Sequence, residues 1–346
     1  MISRLRKILG LAATILVINC SLINSTHANE VIDRERIRSF FAENFENGDF
    51  SALEQWYTKA LKEKTRMESG NFQASILVRS IEFKSDKKCD VSKCPKVDEK
   101  FWLAQEKKAK EWLVRYPKST LAAIALARIY SKQAWIYRGT GYANTVAKED
   151  WKMFHGLMHR AVEVLNEQQV EGRKDPHWWA SLLAATFYGS VDPAGYQQLT
   201  NNAINAFPDN TEIYITIAYT LLPQWGGSHS SIAALASEAV NKTKATDGEA
   251  FYARIYWGLV DSLGRPGFLK PGVDWPRIRS GFDDMLQRYP GDWNLNAYAR
   301  LACLEAHDKK TTARLMRRIG ENPLGTFWQD RITFKRCQQW ALEEIQ

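Results

Sequence analysis

Apolar residues recur at helical spacing along nearly the whole chain. Between residues 32 and 45, Ile37, Phe40, Phe41 and Phe45 fall on one face of a 3.6-residue period. Residues 52–61 form a second short amphipathic stretch. Residues 72–83 are apolar enough to suit helix or strand by pattern alone, and their helical neighbours decide for helix. Residues 84–98 are polar, hold Cys89 and Cys94, and read as a connector. Beyond them a unit recurs. An amphipathic helix runs into Tyr116-Pro117, into Phe207-Pro208 and into Tyr289-Pro290, and each time a new helix follows within a few residues. Proline cannot continue the first helix, and Ser119, Asp209 or Asn210, and Asp292 are suited to cap the second. Asp175-Pro176 is a fourth stop of this kind, 32 residues before Pro208.

With these stops in place, residues 100–320 resemble the tetratricopeptide-repeat class, whose unit is a helix pair of about 34 residues with proline at the junction. Only the interval from Pro176 to Pro208 is near that length, and the full repeat consensus is absent. The expected fold is therefore all-α: a right-handed array of antiparallel helix pairs, a tetratricopeptide-like solenoid. The expected organisation is a signal peptide over 1–28, an N-terminal helical cap with its Cys-containing connector over 29–98, and the array over 99–346.

Two segments interrupt the helical pattern, residues 137–144 and 222–229, and both combine glycine with aromatics. Their Arg-Gly-x-Gly-aromatic-Ala and Pro-x-Trp-Gly-Gly-Ser elements look like those of an uncharacterised bacterial family of exported helical-repeat proteins. That resemblance spans residues 100–245 and implies fold and bacterial origin, with no activity. The candidate binding residues come from these loops: Arg138, Tyr142 and Asn144 in the first, and Trp225, Gly226, Gly227, Ser228 and His229 in the second. Arginine can clamp a carboxylate with two parallel hydrogen bonds. Tryptophan offers a rigid contact surface. The glycine pair permits left-handed backbone and close approach of a partner. Ser228 can cap the following helix, whose free N–H groups suit an anion. The competing reading of both loops is structural: Arg138 bonded to a neighbouring helix, and Trp225 plugging the core.

Composition narrows the function. The 346 residues are 45 % hydrophobic and 25 % charged, which excludes extended disorder. Only 11 Pro and 20 Gly are too few for an all-β chain with a turn every ten residues or so. The 13 Trp are spread along the sequence, as packing residues would be. At the start, Arg4, Arg6 and Lys7 precede an apolar run from Ile8 to Ile18, and Thr26 and Ala28 place small side chains before a cleavage site. This predicts export to the periplasm or beyond, with cleavage after Ala28. Cys20 follows the apolar run as in a lipoprotein, but Asn19 argues against lipidation, because a small residue is expected before the modified cysteine. No later run is long and apolar enough to span a bilayer. The signal segment carries three bases and no acid, so the formal charge of +8 falls to +5 on its removal. Lys and Arg are scattered along the chain with no block of five or six, which excludes a nucleic-acid footprint.

Four cysteines remain after such cleavage, and an even count in an exported chain predicts two disulfides, Cys89–Cys94 and Cys303–Cys337. A zinc site of four cysteines needs two closely spaced pairs, and only one is present. His155, His159 and Glu163 share a helical stripe, but Gly156 stands where the metalloprotease motif requires glutamate. No cofactor or metal is expected. No nucleophile elbow and no phosphate loop occur. Soluble lytic transglycosylases combine a helical superhelix with basic charge, and Gly156-Leu157-Met158 approaches one of their motifs. However, His159 follows where glutamine is needed, and Glu68-Ser69 lies too far upstream. The functional expectation is a non-enzymatic, exported interaction module that holds a protein or peptide in the groove of the array. A cell-envelope glycan-binding protein or hydrolase using the glycine loops is the alternative. An immunity or inhibitor protein for an exported toxin is a special case of the first.

Overall fold

A computed structural model of the chain describes residues 30–82, 98–189 and 192–343. The expected signal segment, Cys20 and the Cys89–Cys94 pair lie outside the described residues. Within them the fold is all-helical. The helices are α1 (Glu30–Asn47), α2 (Phe50–Glu63), α3 (Gln73–Arg79), α4 (Glu99–Arg115), α5 (Thr120–Arg138), α6 (Lys148–Glu167), the single turn α7 (Gln169–Gly172) and α8 (Pro176–Tyr188). They continue as α9 (Pro193–Ala206), α10 (Thr211–Thr220), α11 (His229–Asp247), α12 (Ala250–Leu263), α13 (Trp275–Arg288), α14 (Asp292–Leu304), α15 (Lys309–Ile319) and α16 (Arg331–Leu342). The extended pairing among the described residues is one isolated bridge between Arg66 and Phe72. No helix among them is long and apolar enough to cross a membrane.

The aromatic–proline stops have one shared geometry. Tyr116, Phe207 and Tyr289 cap α4, α9 and α13 with backbone angles of −129°/72°, −139°/69° and −128°/75°. Each residue precedes a proline, whose ring disfavours helical backbone at the position before it. The next helix is then capped by Ser119, which accepts from the Ala122 N–H, and by Asn210, which accepts from the Glu212 N–H. The third, α14, starts behind Gly291 with no side-chain cap. Pro176 sits in the first turn of α8, where its missing N–H costs nothing, and Asp175 caps that helix by accepting from the His177 N–H.

The helices α5, α8, α10, α12, α14 and α16 begin at residues 120, 176, 211, 250, 292 and 331. The later starts are thus spaced 35 to 42 residues apart, longer than the 34 of an ideal repeat, which is why one interval alone was conspicuous in the sequence. Consecutive helices pack on each other, most extensively α5 on α6, α12 on α13 and α14 on α15. Alternate helices also meet: α5 with α8, α8 with α10, and α10 with α12. Ala122, Ala123, Ala125 and Ala127 of α5 are all fully or nearly fully buried, which lets neighbouring helices approach closely.

The short α3 occupies a central place. Ala74, Ser75, Ile76, Leu77 and Val78 are all buried, so this helix is covered on every side. Burying side chains such as Ile76 and Leu77 stabilises the fold by about 1.5–3 kcal/mol each. The loop that leads into it reaches the far end of the chain: the Ser69 carbonyl accepts from Arg254 of α12 and Asn294 of α14. The Cys303–Cys337 disulfide ties α14 to α16, with the Cα atoms 6.0 Å apart. A loop of 34 residues closed in this way is worth about 4 kcal/mol in the chain-entropy account.

Candidate functional site

A cavity of about 890 Å³ is bounded by α5, α8, α10 and α12. Each of the first three helices lends one stripe of residues to the wall. From α5 come Arg128, Ser131, Lys132 and Trp135, at helical i, i+3, i+4 and i+7 spacing. From α8 come His177, Ala180, Ser181, Ala184 and Tyr188. Glu212, Thr216 and Tyr219 come from α10, and Asp261 and Ser262 from α12. Val78 of α3 completes the wall from within.

One end of this cavity is aromatic. Trp135 and Tyr188 meet edge to face at 5.0 Å, and Trp225 meets Tyr188 at 5.4 Å and Trp135 at 6.3 Å. Such edge-to-face contacts each add roughly 0.5–1.5 kcal/mol beyond the area they bury, so the three rings form a stiff wall. Burial pushes the Tyr188 phenol up to about 12, with the nearby Tyr219 and Tyr196 acting the same way, so it stays a neutral donor at physiological pH. The indole N–H of Trp225 is buried and has no hydrogen-bond partner.

The other end is charged. Glu212 is bound to Arg79 of α3 as an ion pair. Its negative charge is the main cause holding the Arg79 guanidinium above its ordinary value. Arg128 donates to the Ile81 carbonyl at 3.4 Å, and burial pulls its pKa down against the attraction of Glu212 and Glu82. At the rim Ser262 donates to the Tyr219 hydroxyl at 2.6 Å.

Both glycine–aromatic loops reach this cavity, the first through Thr140 and the second through Gln224 and Trp225. Their other candidate residues are placed differently. Arg138 is 9 % exposed and points into its own loop, donating to the carbonyls of Gly139, at 3.3 Å, and of Gly141. Its guanidinium lies 5.9 Å from the Trp135 ring and 5.4 Å from the Trp151 ring. Tyr142 and Asn144 are exposed, Tyr142 to 85 %, and neither lines the cavity. Gly226 takes a left-handed conformation, φ +85°, that ends the turn over Pro223–Trp225. Gly227 lies so close to the preceding helix that a Cβ there would fall 2.1 Å from the Leu221 carbonyl oxygen. Ser228 caps α11 by accepting from the Ser231 N–H, and its hydroxyl also meets those of Ser230 and Ser231 at 2.8 Å. His229 opens that helix with a buried, unpartnered Nδ1 and does not line the cavity.

Beneath the cavity lies a polar network that the sequence gives no sign of. The Ser75 hydroxyl is 2.9 Å from His177 Nε2, and His177 Nδ1 is 2.9 Å from the Tyr57 hydroxyl and 3.3 Å from an Asp175 carboxylate oxygen. Asp175 also accepts from Tyr57 at 2.9 Å and from Thr120 at 2.7 Å. Burial would raise this carboxyl, but the hydrogen bonds from His177 and Thr120, with the His177 charge interaction, hold it below its ordinary value. The order Ser–His–Asp matches that of a hydrolase triad, yet Ser75, His177 and Asp175 are each 2 % exposed, and Ser75 faces neither cavity that His177 lines. The network therefore serves packing: it satisfies polar groups of α2, α3, α5 and α8 where water cannot.

Among the described residues no group of three or more histidine, cysteine or acidic side chains is gathered to hold a metal. His155 instead stacks on Trp151 with ring centres 5.4 Å apart. A scan against protein-family models finds no match for this chain, and a search of the curated proteins finds none either.

Proposed function

We propose that the protein is an exported, non-enzymatic binding module of tetratricopeptide-like design, and that its aromatic-walled cavity takes up a short segment of a protein or peptide partner. The observation that carries this reading is the polarity of that cavity. Trp135, Tyr188 and Trp225 form a rigid apolar end, while Arg128, Lys132, Glu212 and Asp261 line the rest. An extended segment with one bulky apolar side chain and polar flanks matches both ends. A volume of about 890 Å³ lies within the range of about 300–1,000 Å³ common for ligand sites. The alternating contacts of α5, α8, α10 and α12 are those that stacked helix pairs would make. The inner row of such a stack would already hold α3, a helical segment of the same chain, which reaches α8 through Ser75 and α10 through Arg79.

The test is selection of short peptides on the purified chain, followed by affinity measurement with wild type and Trp225→Ala. Peptides with an aromatic or branched aliphatic anchor should be enriched, and Trp225→Ala should weaken them at least tenfold. Failure to enrich any peptide, or equal binding by the variant, would overturn the reading. The hydroxyls of Ser131, Ser181 and Thr216 beside the aromatic wall favour one second reading, an oligosaccharide stacked on Trp225. Peptidoglycan fragments assayed with the same two proteins decide between them.

A further inference from the structure

A second cavity, of about 230 Å³, lies across the Arg79–Glu212 ion pair from the first: Glu212 lines the large cavity and Arg79 the small one. Its walls bring Arg34 of α1, Arg79 of α3 and Arg254 of α12 together with Trp257, Trp293 and Asn71. Two of the arginines have a carboxylate. Arg34 pairs with the buried Glu30 at 2.6 Å and lies over the Trp293 ring, 3.9 Å from its centre. Arg79 pairs with Glu212.

Arg254 differs. It is 7 % exposed, and it donates to the Ser69 carbonyl at 2.7 Å and to the Asn71 side-chain oxygen at 3.4 Å. Its guanidinium also lies 5.7 Å from the centre of the Tyr289 ring. Among the described residues no carboxylate stands within ion-pair distance of it. A guanidinium carries five N–H donors, so two neutral acceptors leave it short of partners and of countercharge. Burial pulls it down to about 10, helped by the charge of Arg66 and opposed by Tyr289, Asp247 and Glu30. The acids nearest the cavity are already engaged, because Glu30 also accepts from the Ser69 N–H at 2.6 Å and the Ser69 hydroxyl at 2.7 Å. The three guanidinium groups and two carboxylates leave the walls with a surplus positive charge.

We propose that this second cavity is an oxyanion site, in which a small carboxylate or phosphate compound docks its anion on Arg254 between Arg34 and Arg79 and lays its body against Trp257 and Trp293. A bound oxyanion supplies the countercharge and the acceptors that Arg254 lacks. The cavity is smaller than the roughly 300 Å³ at which drug-sized sites begin, so the ligand is a compact molecule rather than a polymer. The assignment stands apart from the peptide reading, since Arg34, Arg254, Trp257 and Trp293 do not line the first cavity.

The test titrates the full chain with inorganic phosphate and, separately, with benzoate, against chloride at matched ionic strength. Tryptophan fluorescence and the thermal midpoint are followed. At least one probe should give a saturable response that Arg254→Gln weakens tenfold or more. Saturation by phosphate alone, by benzoate alone or by both identifies the oxyanion accepted. Because Arg254 also holds the Ser69 loop, a second variant guards against misfolding. Thr211 lines the same cavity, and Thr211→Glu would place a carboxylate beside the arginines. That variant should raise the thermal midpoint without added anion and abolish the response to both probes. Responses no larger than those to chloride, or unchanged binding by folded Arg254→Gln or Thr211→Glu protein, would overturn the proposal.

Discussion

The two glycine–aromatic loops resemble each other in sequence and do opposite things in the fold. In the loop after α5, the charged residue turns inward: Arg138 spends its hydrogen bonds on the carbonyls of its own turn and its ring contacts on Trp135 and Trp151. In the loop before α11, the glycines and Ser228 serve the backbone, and the aromatic residue faces the cavity. The difference shows how a loop with several striking residues divides them. Groups whose donors can be satisfied locally become structural, because an unsatisfied buried donor is costly. A large ring with no local acceptor can remain a wall.

Substitutions can break this comparison at points of decreasing weight. Gly227→Ala should cost about 3 kcal/mol of stability, since its Cβ would lie 2.1 Å from the Leu221 carbonyl oxygen and backbone must move. Urea unfolding measures it, and a loss under about 1 kcal/mol would mean the turn relaxes easily. Trp225→Ala should combine about 1–2 kcal/mol lost from stability with the binding of peptide largely abolished. Arg138→Ala should cost about 1 kcal/mol by removing the hydrogen bonds to the Gly139 and Gly141 carbonyls that hold the turn, while leaving ligand affinity unchanged. A selective loss of affinity in that variant would return Arg138 to the site. Tyr142→Ala and Asn144→Ala touch exposed positions and should change stability by less than about 0.5 kcal/mol, with binding intact. Thermal melts of the two variants beside wild type would expose any larger role.

Much of the fold could be read from local rules. The stops at Pro117, Pro208 and Pro290 act through the residue before them, and Tyr116, Phe207 and Tyr289 adopt one backbone geometry. Asp175 and Ser119 cap as their types require. The Cys303–Cys337 pairing followed from two cysteines on neighbouring helices. The junction at which α11 gives way to α12 at Gly248 has no proline and carried no such signal. The helix over residues 72–83 was expected from its neighbours, and the structure places α3 at Gln73–Arg79. That it would be covered on every side depends on contacts with α8 and α10, neither near it in sequence, and on a leading loop held by the distant α12.

The site was legible only in part, for the same reason. Trp225 could be singled out because glycine, proline and tryptophan cluster within a few residues. Trp135 and Tyr188, which complete the wall, sit inside regular helices and carry no local signal. The Ser75–His177–Asp175 network joins residues about a hundred positions apart, and Arg34, Arg79 and Arg254 come from three different helices. A helical stripe of mixed small and polar residues, such as Arg128, Ser131, Lys132 and Trp135, was the one signal that could have pointed to a cavity wall.

The proposed partner would enter the cavity rather than rest on the outer surface. Ala184 lines that cavity and projects no functional group, so Ala184→Phe narrows it while leaving the charged and aromatic walls in place. The measurement is the affinity of a selected peptide for Ala184→Phe protein beside wild type, with matched thermal midpoints showing that both are folded. Binding by Ala184→Phe should be at least tenfold weaker. Equal affinity in a folded variant would place the partner elsewhere and contradict the proposal.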